Sequence, residues 1–370
     1  MSRDRFDVVI IGCGAAGAAT AWQCALRGRN VLAIDRFEPG HRRGSSHGTE
    51  RIVRLGHTEP AYVKFALDAL DGWAELERVA DVSLLSRSGV IDFGLAEELD
   101  EIEQCTSAFG VRVDRIDAVE AHRRYPGMHF SSDVLFHTDG GTVNADRAVS
   151  VLRRLAMHHG ARMRAVAEVT RIDRTGNGVV VHIGDEAVEA DVVVITTGAW
   201  APTLLADVVD MPDYRVTKEQ VAFFRPRGEL LWPTFLNRSL TRHYGMTTPE
   251  GLVKVAEHHT GPVVDPDHRT YEIEPTTWER LLNWVAENMP GVDPTPVDAS
   301  TCLYASTPSE DFVLDRIGDI VVGVGLSGHG FKFIPEIGRR LADLVEGIDW
   351  GNNPFAINAS PHAFGPSGHK

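Results

Sequence analysis

The chain has little of what marks a secreted, membrane or nucleic-acid-binding protein. Four cysteines in 370 residues are too few for a disulfide framework, and no run of about 18 apolar residues is available to cross a bilayer. Basic residues are outnumbered, with 37 Lys+Arg against 52 Asp+Glu, and the resulting charge of −15 disfavours nucleic acid and anionic membranes. The charged start leads into only a short apolar run, unlike a signal peptide. We therefore expect a cytoplasmic protein that binds neither nucleic acid nor membrane.

The first forty residues follow the order strand, glycine-rich turn, helix, strand and acid. The apolar run Phe6–Ile11 predicts a strand, Ala15–Arg27 a helix, and Asn30–Ile34 a second strand that ends at Asp35. The intervening glycines allow, in order, a tight turn, close approach of a pyrophosphate and close helix packing: Gly12, Gly14 and Gly17. The Asp35 carboxylate can accept hydrogen bonds from a ribose. The pattern predicts a dinucleotide site, and by itself it does not separate FAD from NAD.

Helical and strand patterns alternate along the rest of the chain. Helices are predicted over 61–79, 146–159 and 276–288, the last beginning with a capping box of Thr276 and Glu279. Strands are predicted over 162–172, 179–183, 192–196, 215–224 and 319–324, and the third of them leads into a turn at Gly198. The order predicts an α/β fold with an α+β second domain. A Rossmann-like dinucleotide-binding domain (1–85, 142–214, 312–370) is interleaved with a substrate domain on a mostly antiparallel sheet (86–141, 215–311).

Two clusters of charged residues stand out, each with an ordinary structural alternative. Arg51 and Arg54 lie three residues apart, so they can share a helix face and meet an anion, or be solvated surface arginines. In a strand, Lys254 and His258 point the same way, although a plain surface strand has the same pattern. The adjacent His258 and His259 also suggest a metal, but no further ligand follows at a recognisable spacing, so we expect none.

Two further clusters lie near the end of the chain. Cys302 and Tyr304 share a strand face, where a free cysteine is most often a buried structural residue. The run Gly328–Phe333 is a glycine-rich turn that opens a helix, which is a second candidate anion site or a plain connection.

Together these motifs resemble the monomeric sarcosine oxidase and N-methyltryptophan oxidase family of D-amino-acid-oxidase-like flavoproteins. The resemblance runs from Phe6 to about Val345 and includes the glycine triplet, the run Gly44–Arg54, the run Thr301–Pro308 and the run Ser327–Phe333. It implies that the cofactor is FAD, held covalently by a thioether from Cys302 to the flavin 8α-methyl group.

The resemblance also implies a role for each matching residue. Arg54 and Lys332 would grip the substrate carboxylate beside Tyr304, Arg51 would lie against one flavin face, and Lys254 would activate oxygen. His258 and Tyr244 would shape the amine pocket. The other matching positions would contact the cofactor: Gly12, Gly14, Gly17, Asp35, Ser45, Arg51, Gly198, Gly328, His329, Gly330 and Lys332.

The expected activity is oxidation of a secondary amino acid, N-methyl or cyclic, to an imine with O2 reduced to H2O2. We expect a monomer whose partners are a small amino acid and O2. An alternative within the resemblance is an amino-acid dehydrogenase, or an imino-acid oxidase of a biosynthetic pathway, that passes electrons to another acceptor. A nucleic-acid-modifying flavoprotein would call for a basic surface, and a flavoprotein that only binds would not need Cys302 or the paired cations.

Overall fold

A computed structural model describes residues 4–230, 232–348, 350–357 and 359. The far end of the predicted third segment of the dinucleotide-binding domain, including the C-terminal tail, lies outside these residues. Within them, no helix is long and apolar enough to span a bilayer.

The helices of the described chain cover eight segments. They are α1 (Ala15–Leu26), α2 (Pro60–Ala80), α3 (Ala96–Ser107), α4 (Ala118–Arg124), α5 (Ala145–His158), α6 (Ala201–Leu205), α7 (Pro275–Asn288) and α8 (Ile334–Val345). Short 3₁₀ turns, Gly198–Trp200 and Gly330–Phe333, precede α6 and α8. The helices predicted over 61–79, 146–159 and 276–288 are present, whereas α3, α4 and the short α6 have no counterpart among the predictions.

The strands fall into three sheets. They are β1 (Arg5–Ile11), β2 (Val31–Ile34), β3 (Arg51–Val53), β4 (Leu85–Ser86), β5 (Val90–Gly94), β6 (Asp114–Ile116), β7 (Val134–His137), β8 (Gly141–Val143), β9 (Arg162–Arg164), β10 (Val169–Thr175), β11 (Gly178–Ile183), β12 (Glu186–Ile195), β13 (Arg215–Phe224), β14 (Thr234–Arg238), β15 (His243–Thr247), β16 (Val253–Glu257), β17 (Asp298–Ser306), β18 (Val313–Ile317) and β19 (Ile320–Val324).

The first sheet has the predicted Rossmann-like centre. Strands β9, β2, β1, β12 and β19 run parallel in that order, with β18 antiparallel at the edge. Helices α1, α2, α5 and α8 contribute to the hydrophobic core on one face, and the meander β10–β12 with α6 belongs to the core on the other. The fold class predicted from the sequence is therefore confirmed for this half of the molecule.

Close contact between β1 and α1 requires glycine at the third position of the motif. A Cβ on Gly17 would lie 1.9 Å from the Gly12 carbonyl oxygen, which no side chain tolerates. The glycine therefore brings the first turn of α1 directly onto the end of β1, and the open helix N-terminus faces the cavity described below.

The second sheet is mostly antiparallel, as predicted. Its order is β17-β13-β16-β15-β14-β5-β7-β6, and only the β14–β5 pair is parallel. Helices α4 and α7 pack on it through a separate core cluster that includes Phe235 and Leu281. A small third sheet, β3-β8-β4, lies at two of the predicted domain boundaries, since β4 spans residues 85 and 86 and β8 begins at 141. The exact division into two domains stays a prediction.

Three local predictions are wrong. The strand predicted over 162–172 is two strands: β9 extends the parallel sheet, and β10 begins the meander. Helix α7 is capped by Glu274, whose carboxylate accepts from the N–H groups of Thr276 and Thr277, so Thr276 is not the cap. The segment with Arg51 forms strand β3 and not a helix, because it pairs with β8, so Arg51 and Arg54 share no helix face.

Candidate active site

One large cavity lies between the first and second sheets. It opens at the carboxyl ends of the parallel strands, where Ile11, Ile34, Thr196 and Val324 line it. Its volume of about 2260 Å³ exceeds the roughly 300–1,000 Å³ of a pocket for a single drug-sized ligand. The space is therefore sufficient for a dinucleotide together with a small substrate.

All the predicted site residues except Gly17 line this cavity. They are Gly12, Gly14, Asp35, Ser45, Arg51, Arg54, Gly198, Tyr244, Lys254, His258, Cys302, Tyr304, Gly328, His329, Gly330 and Lys332. These residues come from positions 12 to 332 of the chain, so the tertiary structure brings them together.

Sheet register places the groups of the second sheet on one face. Across β13, Glu219 is opposite Cys302 and Phe223 is opposite Lys254, and Lys254 is in turn opposite Met246 on β15. Directly paired residues share a face, and every second residue along a strand returns to it. Cys302 and Lys254 therefore point into the same cavity, and by the same alternation so do Tyr304, Tyr244 and Val221.

Lys254 lies beside an acid that the sequence did not single out. Its Nζ donates to the Glu50 carbonyl oxygen at 3.4 Å and lies 3.7 Å from Glu50 Oε2. Burial, then the Arg51 guanidinium, lowers the pKa of Lys254 to about 8, against the opposing effect of Glu50. Arg51 and Lys254 both act to lower the pKa of the Cys302 thiol, which burial raises. The thiol, the lysine and the arginine thus form one electrostatic unit.

The loop with Ser45 is fixed to β17 at this point. Ser45 Oγ donates to the Leu303 carbonyl oxygen at 2.5 Å, directly after Cys302. From the other side, Gly328 has φ +72°, and a Cβ there would lie 2.3 Å from the Tyr304 ring. Glycine is therefore required for the turn before α8 to approach the same strand.

A chain of hydroxyl and imidazole groups crosses the cavity wall. The Tyr244 and Tyr304 hydroxyls are 3.4 Å apart, and the Tyr304 hydroxyl is 3.2 Å from His258 Nδ1. Burial lowers the pKa of His258 well below its usual value, so the ring is neutral at pH 7. Burial raises the pKa of both tyrosines, so their hydroxyls keep their protons.

Two cations at the far end of the cavity form no ion pair with a described carboxylate, and Asp92, Glu59 and Glu98 act on Arg54 only from beyond ion-pair distance. Lys332 is 5% exposed, donates to the His329 carbonyl oxygen at 2.6 Å, and makes no ion pair with a described carboxylate. Arg54 likewise forms no ion pair with any carboxylate in the described ranges, and its Nη1 is buried without a hydrogen-bond partner. Burial, then the neighbouring Arg238, lowers the pKa of Arg54, and burial and Arg54 lower that of Lys332. Buried, unpaired donors of this kind favour an anionic ligand.

Comparison with known proteins agrees with this arrangement. A family described as FAD dependent oxidoreductase matches residues 7–344. The chain belongs to this family. This FAD-dependent oxidoreductase is 31% identical to the monomeric sarcosine oxidase of Streptomyces avermitilis over 92% of its own length and 93% of the relative's. It is also 31% identical to the peroxisomal sarcosine oxidase of Homo sapiens, over 97% of each chain.

The fold of the oxidoreductase has solved counterparts. NikD, described as an unusual amino acid oxidase essential for nikkomycin biosynthesis, matches it with a TM-score of 0.85 at 27% identity, covering 96% of this chain and 98% of NikD. The predicted family and the predicted fold class are both confirmed.

The first forty residues of the oxidoreductase fit the dinucleotide of FAD. Gly14 gives α1 no side-chain cap of its own, and the N–H of Ala15 donates to Ser46 Oγ at 3.0 Å. The first turn lines the cavity, where its remaining N–H groups suit a pyrophosphate. The Asp35 carboxylate accepts from the N–H groups of Cys13 at 2.9 Å and Phe37 at 3.0 Å, which fixes its position. It keeps lone pairs for ribose hydroxyls, because each carboxylate oxygen can accept more than one hydrogen bond.

Sequence reasoning missed a buried ionic group beneath Arg54. Asp92 is fully buried and accepts from Arg238 Nε at 2.7 Å, and Arg238 also contacts Glu98 at 3.3 Å. His137 Nε2 is 3.3 Å from the other Asp92 oxygen. A single acid within the apolar run Val90–Phe93 was the available signal, since an unpaired carboxylate does not survive in a buried strand.

Replacing Asp92 with Asn should destabilise the oxidoreductase strongly. The change leaves the buried Arg238 charge without its main partner, and breaking such a pair costs about 3–5 kcal/mol. Urea unfolding at pH 7 measures the loss of free energy of unfolding.

The matched control is Asp114→Asn, which breaks an exposed pair with Arg112 and should change stability by less than about 0.5 kcal/mol.

Arg238 and His137 hold the pKa of the Asp92 carboxyl well below its usual range, against the effect of burial. The ionised Asp92 carboxylate therefore contributes its full stabilisation above about pH 4, which is the pKa of an Asp side chain in the unfolded protein. This contribution is lost as pH falls through the lower pKa of Asp92 in the folded protein. The difference in free energy of unfolding between wild type and Asp92→Asn should therefore become smaller at acid pH. If Asp92→Asn and Asp114→Asn lose the same free energy of unfolding at pH 7, this account is wrong.

Proposed function

We propose that the protein oxidises the C–N bond of a secondary amino acid, N-methyl or cyclic, and passes the electrons to O2. The observation that carries the proposal is the pair of unneutralised cations, Arg54 and Lys332, in the same cavity as Lys254 and Cys302. A substrate carboxylate would satisfy both cations, and its amine would then face the wall formed by His258, Tyr304 and Tyr244.

The proposed reaction needs bound FAD, a neutral substrate amine and O2. Bound FAD would accept two electrons, as a hydride equivalent, from the substrate C–N unit. The substrate amine has to be neutral for this transfer, and the neutral His258 ring adds no positive charge to oppose the electron loss. The resulting imine takes up water to give the amine and a carbonyl product, and O2 with two electrons and two protons gives H2O2.

Charge-assisted hydrogen bonds from Arg54 and Lys332 would hold the carboxylate end. Two fixed cations orient the substrate as well as bind it, because a carboxylate held at two points cannot rotate freely. The same pair excludes amines that lack a carboxylate, since these would leave two buried charges unpaired.

A panel of amines tests the proposal. Purified protein in air is expected to release H2O2 with at least one of sarcosine, other N-methyl amino acids, proline or pipecolate. In Arg54→Ala the KM for that substrate should rise about 10–100-fold, since a hydrogen bond to a charged group contributes about 1.5–3 kcal/mol. The exposed Arg112→Ala serves as the control and should leave KM unchanged. If no member of the panel reduces the flavin or yields peroxide, the proposal fails.

The proposal includes a covalent bond between Cys302 and the flavin. The thiol is free and lines the cavity, where burial raises its pKa and the nearby Arg51 and Lys254 charges oppose that rise. The thiolate is the nucleophile in such a bond, and the two cations favour it. Acid precipitation of the wild-type protein should leave the yellow colour in the pellet. Cys302→Ala should release it to the supernatant, while Cys105→Ala, a half-buried thiol outside the cavity, should not.

Oxygen chemistry in this proposal depends on the charge of Lys254. A fixed cation stabilises the negative charge that develops on O2 as it is reduced. Because the pKa of Lys254 lies at about 8, the lysine is protonated below that pH and loses its charge above it.

Stopped-flow mixing of the reduced enzyme with O2 should give a rate that is constant below about pH 8 and falls tenfold per pH unit above it. In Lys254→Met, reoxidation by O2 should be slow and its rate should not depend on pH in this range. The rate of flavin reduction by substrate should change little. Lys218→Met is the control, because Lys218 is equally buried but donates to the Glu272 carbonyl oxygen, away from the cavity lining. A Lys254→Met enzyme that reoxidises at the wild-type rate would remove the lysine from this role.

A cytoplasmic monomer completes the proposal. Relatives of similar length are named monomeric sarcosine oxidases, and four free cysteines suit a reducing compartment. Light scattering during size-exclusion chromatography should give a mass near 40.6 kDa.

A further inference from the structure

Two adjacent histidines and a glutamate from a distant loop converge at the cavity wall. His258 and His259 follow β16, and Glu310 lies in the loop between β17 and β18. One ligand atom from each of the three side chains lies within 4.8 Å of the other two. The fold thus supplies the third ligand that local spacing around the histidines did not offer.

His259 has an imidazole nitrogen without a hydrogen-bond partner. Its Nε2 is buried and lies 3.6 Å from Glu310 Oε2, which is too long for a hydrogen bond. The ring packs edge-on against His258 with centroids 4.1 Å apart. A buried, unsatisfied nitrogen that faces a carboxylate across such a gap favours a ligand placed between them.

Neighbouring groups contact the His258 side chain and the Glu310 main chain. The Tyr304 hydroxyl engages only Nδ1 of His258, which leaves its second ring nitrogen, and His329 Nε2 is 3.1 Å from the Glu310 carbonyl oxygen. Both His259 and Glu310 have left-handed backbone, with φ of +58° and +62°, a conformation that persists only where the surroundings enforce it. Such supporting contacts are typical of the shell around a metal ligand set.

The donor set is two imidazoles and one carboxylate. This combination suits zinc and other divalent transition metals, and three protein ligands leave a fourth position open. Ligand atoms about 2.1 Å from a tetrahedral ion are about 3.4 Å from one another. The three ligand atoms here lie within 4.8 Å of one another, so side-chain rotations that bring them closer by roughly 1 Å would complete the site.

We propose that His258, His259 and Glu310 bind a divalent transition-metal ion of the zinc class, which inhibits the enzyme by occupying His258. The ion would add positive charge and bulk at the wall proposed to face the substrate amine. This inhibitory effect rests on the proposed function, whereas binding of the metal does not.

The charges around the site set the expected affinity. Lys332 and Arg54 act on His258 across the cavity and disfavour a cation. With three protein ligands and opposing charge nearby, we expect binding in the micromolar range rather than the far tighter binding of closed four-ligand sites.

Calorimetric titration of tag-free holoenzyme with Zn²⁺ measures binding directly. Wild type should bind one ion, with Mg²⁺ giving no heat at the same site because it prefers oxygen ligands. His259→Ala and Glu310→Gln should each weaken Zn²⁺ binding at least tenfold. The control His268→Ala removes an exposed histidine 2.8 Å from Asp265 that has no third described ligand close by, and it should leave binding unchanged.

Steady-state assays measure the consequence. Zn²⁺ should raise the KM for the amine in wild type, and His259→Ala and Glu310→Gln should keep the basal activity while losing that effect. Absence of saturable Zn²⁺ binding by wild type, or an unchanged Kd in both variants, would overturn the site. If Zn²⁺ binds as expected but no amine in the panel is oxidised, the metal site stands and the proposed function fails.

Discussion

Two cations that form no ion pair with a described carboxylate, Arg54 and Lys332, are the constraint on which the rest of the site depends. The molecule carries a net charge of −15, yet Arg51, Arg54, Lys254 and Lys332 line the same space. Arg54 and Lys332 have no ion-pair partner among the described carboxylates, so a bound anion would offset much of the cost of their desolvation. Lys254 and Arg51 are balanced in part by Glu50 and by backbone carbonyl groups. The cavity therefore has one end suited to a carboxylate and another suited to developing negative charge.

Two sheets make this concentration of charge possible. The parallel sheet places the open end of α1 and the Asp35 carboxylate at the carboxyl edge of its strands, as dinucleotide-binding folds do. The antiparallel sheet presents Cys302, Lys254 and Tyr304 on one face by register alone. The Ser45–Leu303 hydrogen bond and the contact of Gly328 with Tyr304 join the two. A shift of one residue in β16 or β17 would turn these side chains to the opposite face, so strand pairing is as important to the site as the residues themselves.

Local sequence patterns were sufficient for elements whose signals are local. The glycine triplet, the long amphipathic helices and the fold class were predictable because helix periodicity and turn chemistry act over a few residues. The prediction of a single strand over 162–172 was wrong because the two halves of this segment pair with different strands. The residue pattern of one segment does not show which strand it pairs with. A shared helix face for Arg51 and Arg54 was considered because spacing alone cannot show that β8 pairs with the segment of Arg51. The Asp92 group was missed because its partners, Arg238 and His137, come from two other strands, β14 and β7.

By itself, the sequence determined the family, the dinucleotide motif and 16 candidate site residues that line the cavity, since each lies in a short run. Only the tertiary structure decided which charges are neutralised. Glu50 beside Lys254, Asp92 beside Arg238 and Glu310 opposite His259 are all acids whose partners lie far away in the chain. Electrostatic pairing depends on distances of a few ångströms in space, and those distances are set by strand register and loop packing rather than by separation along the sequence.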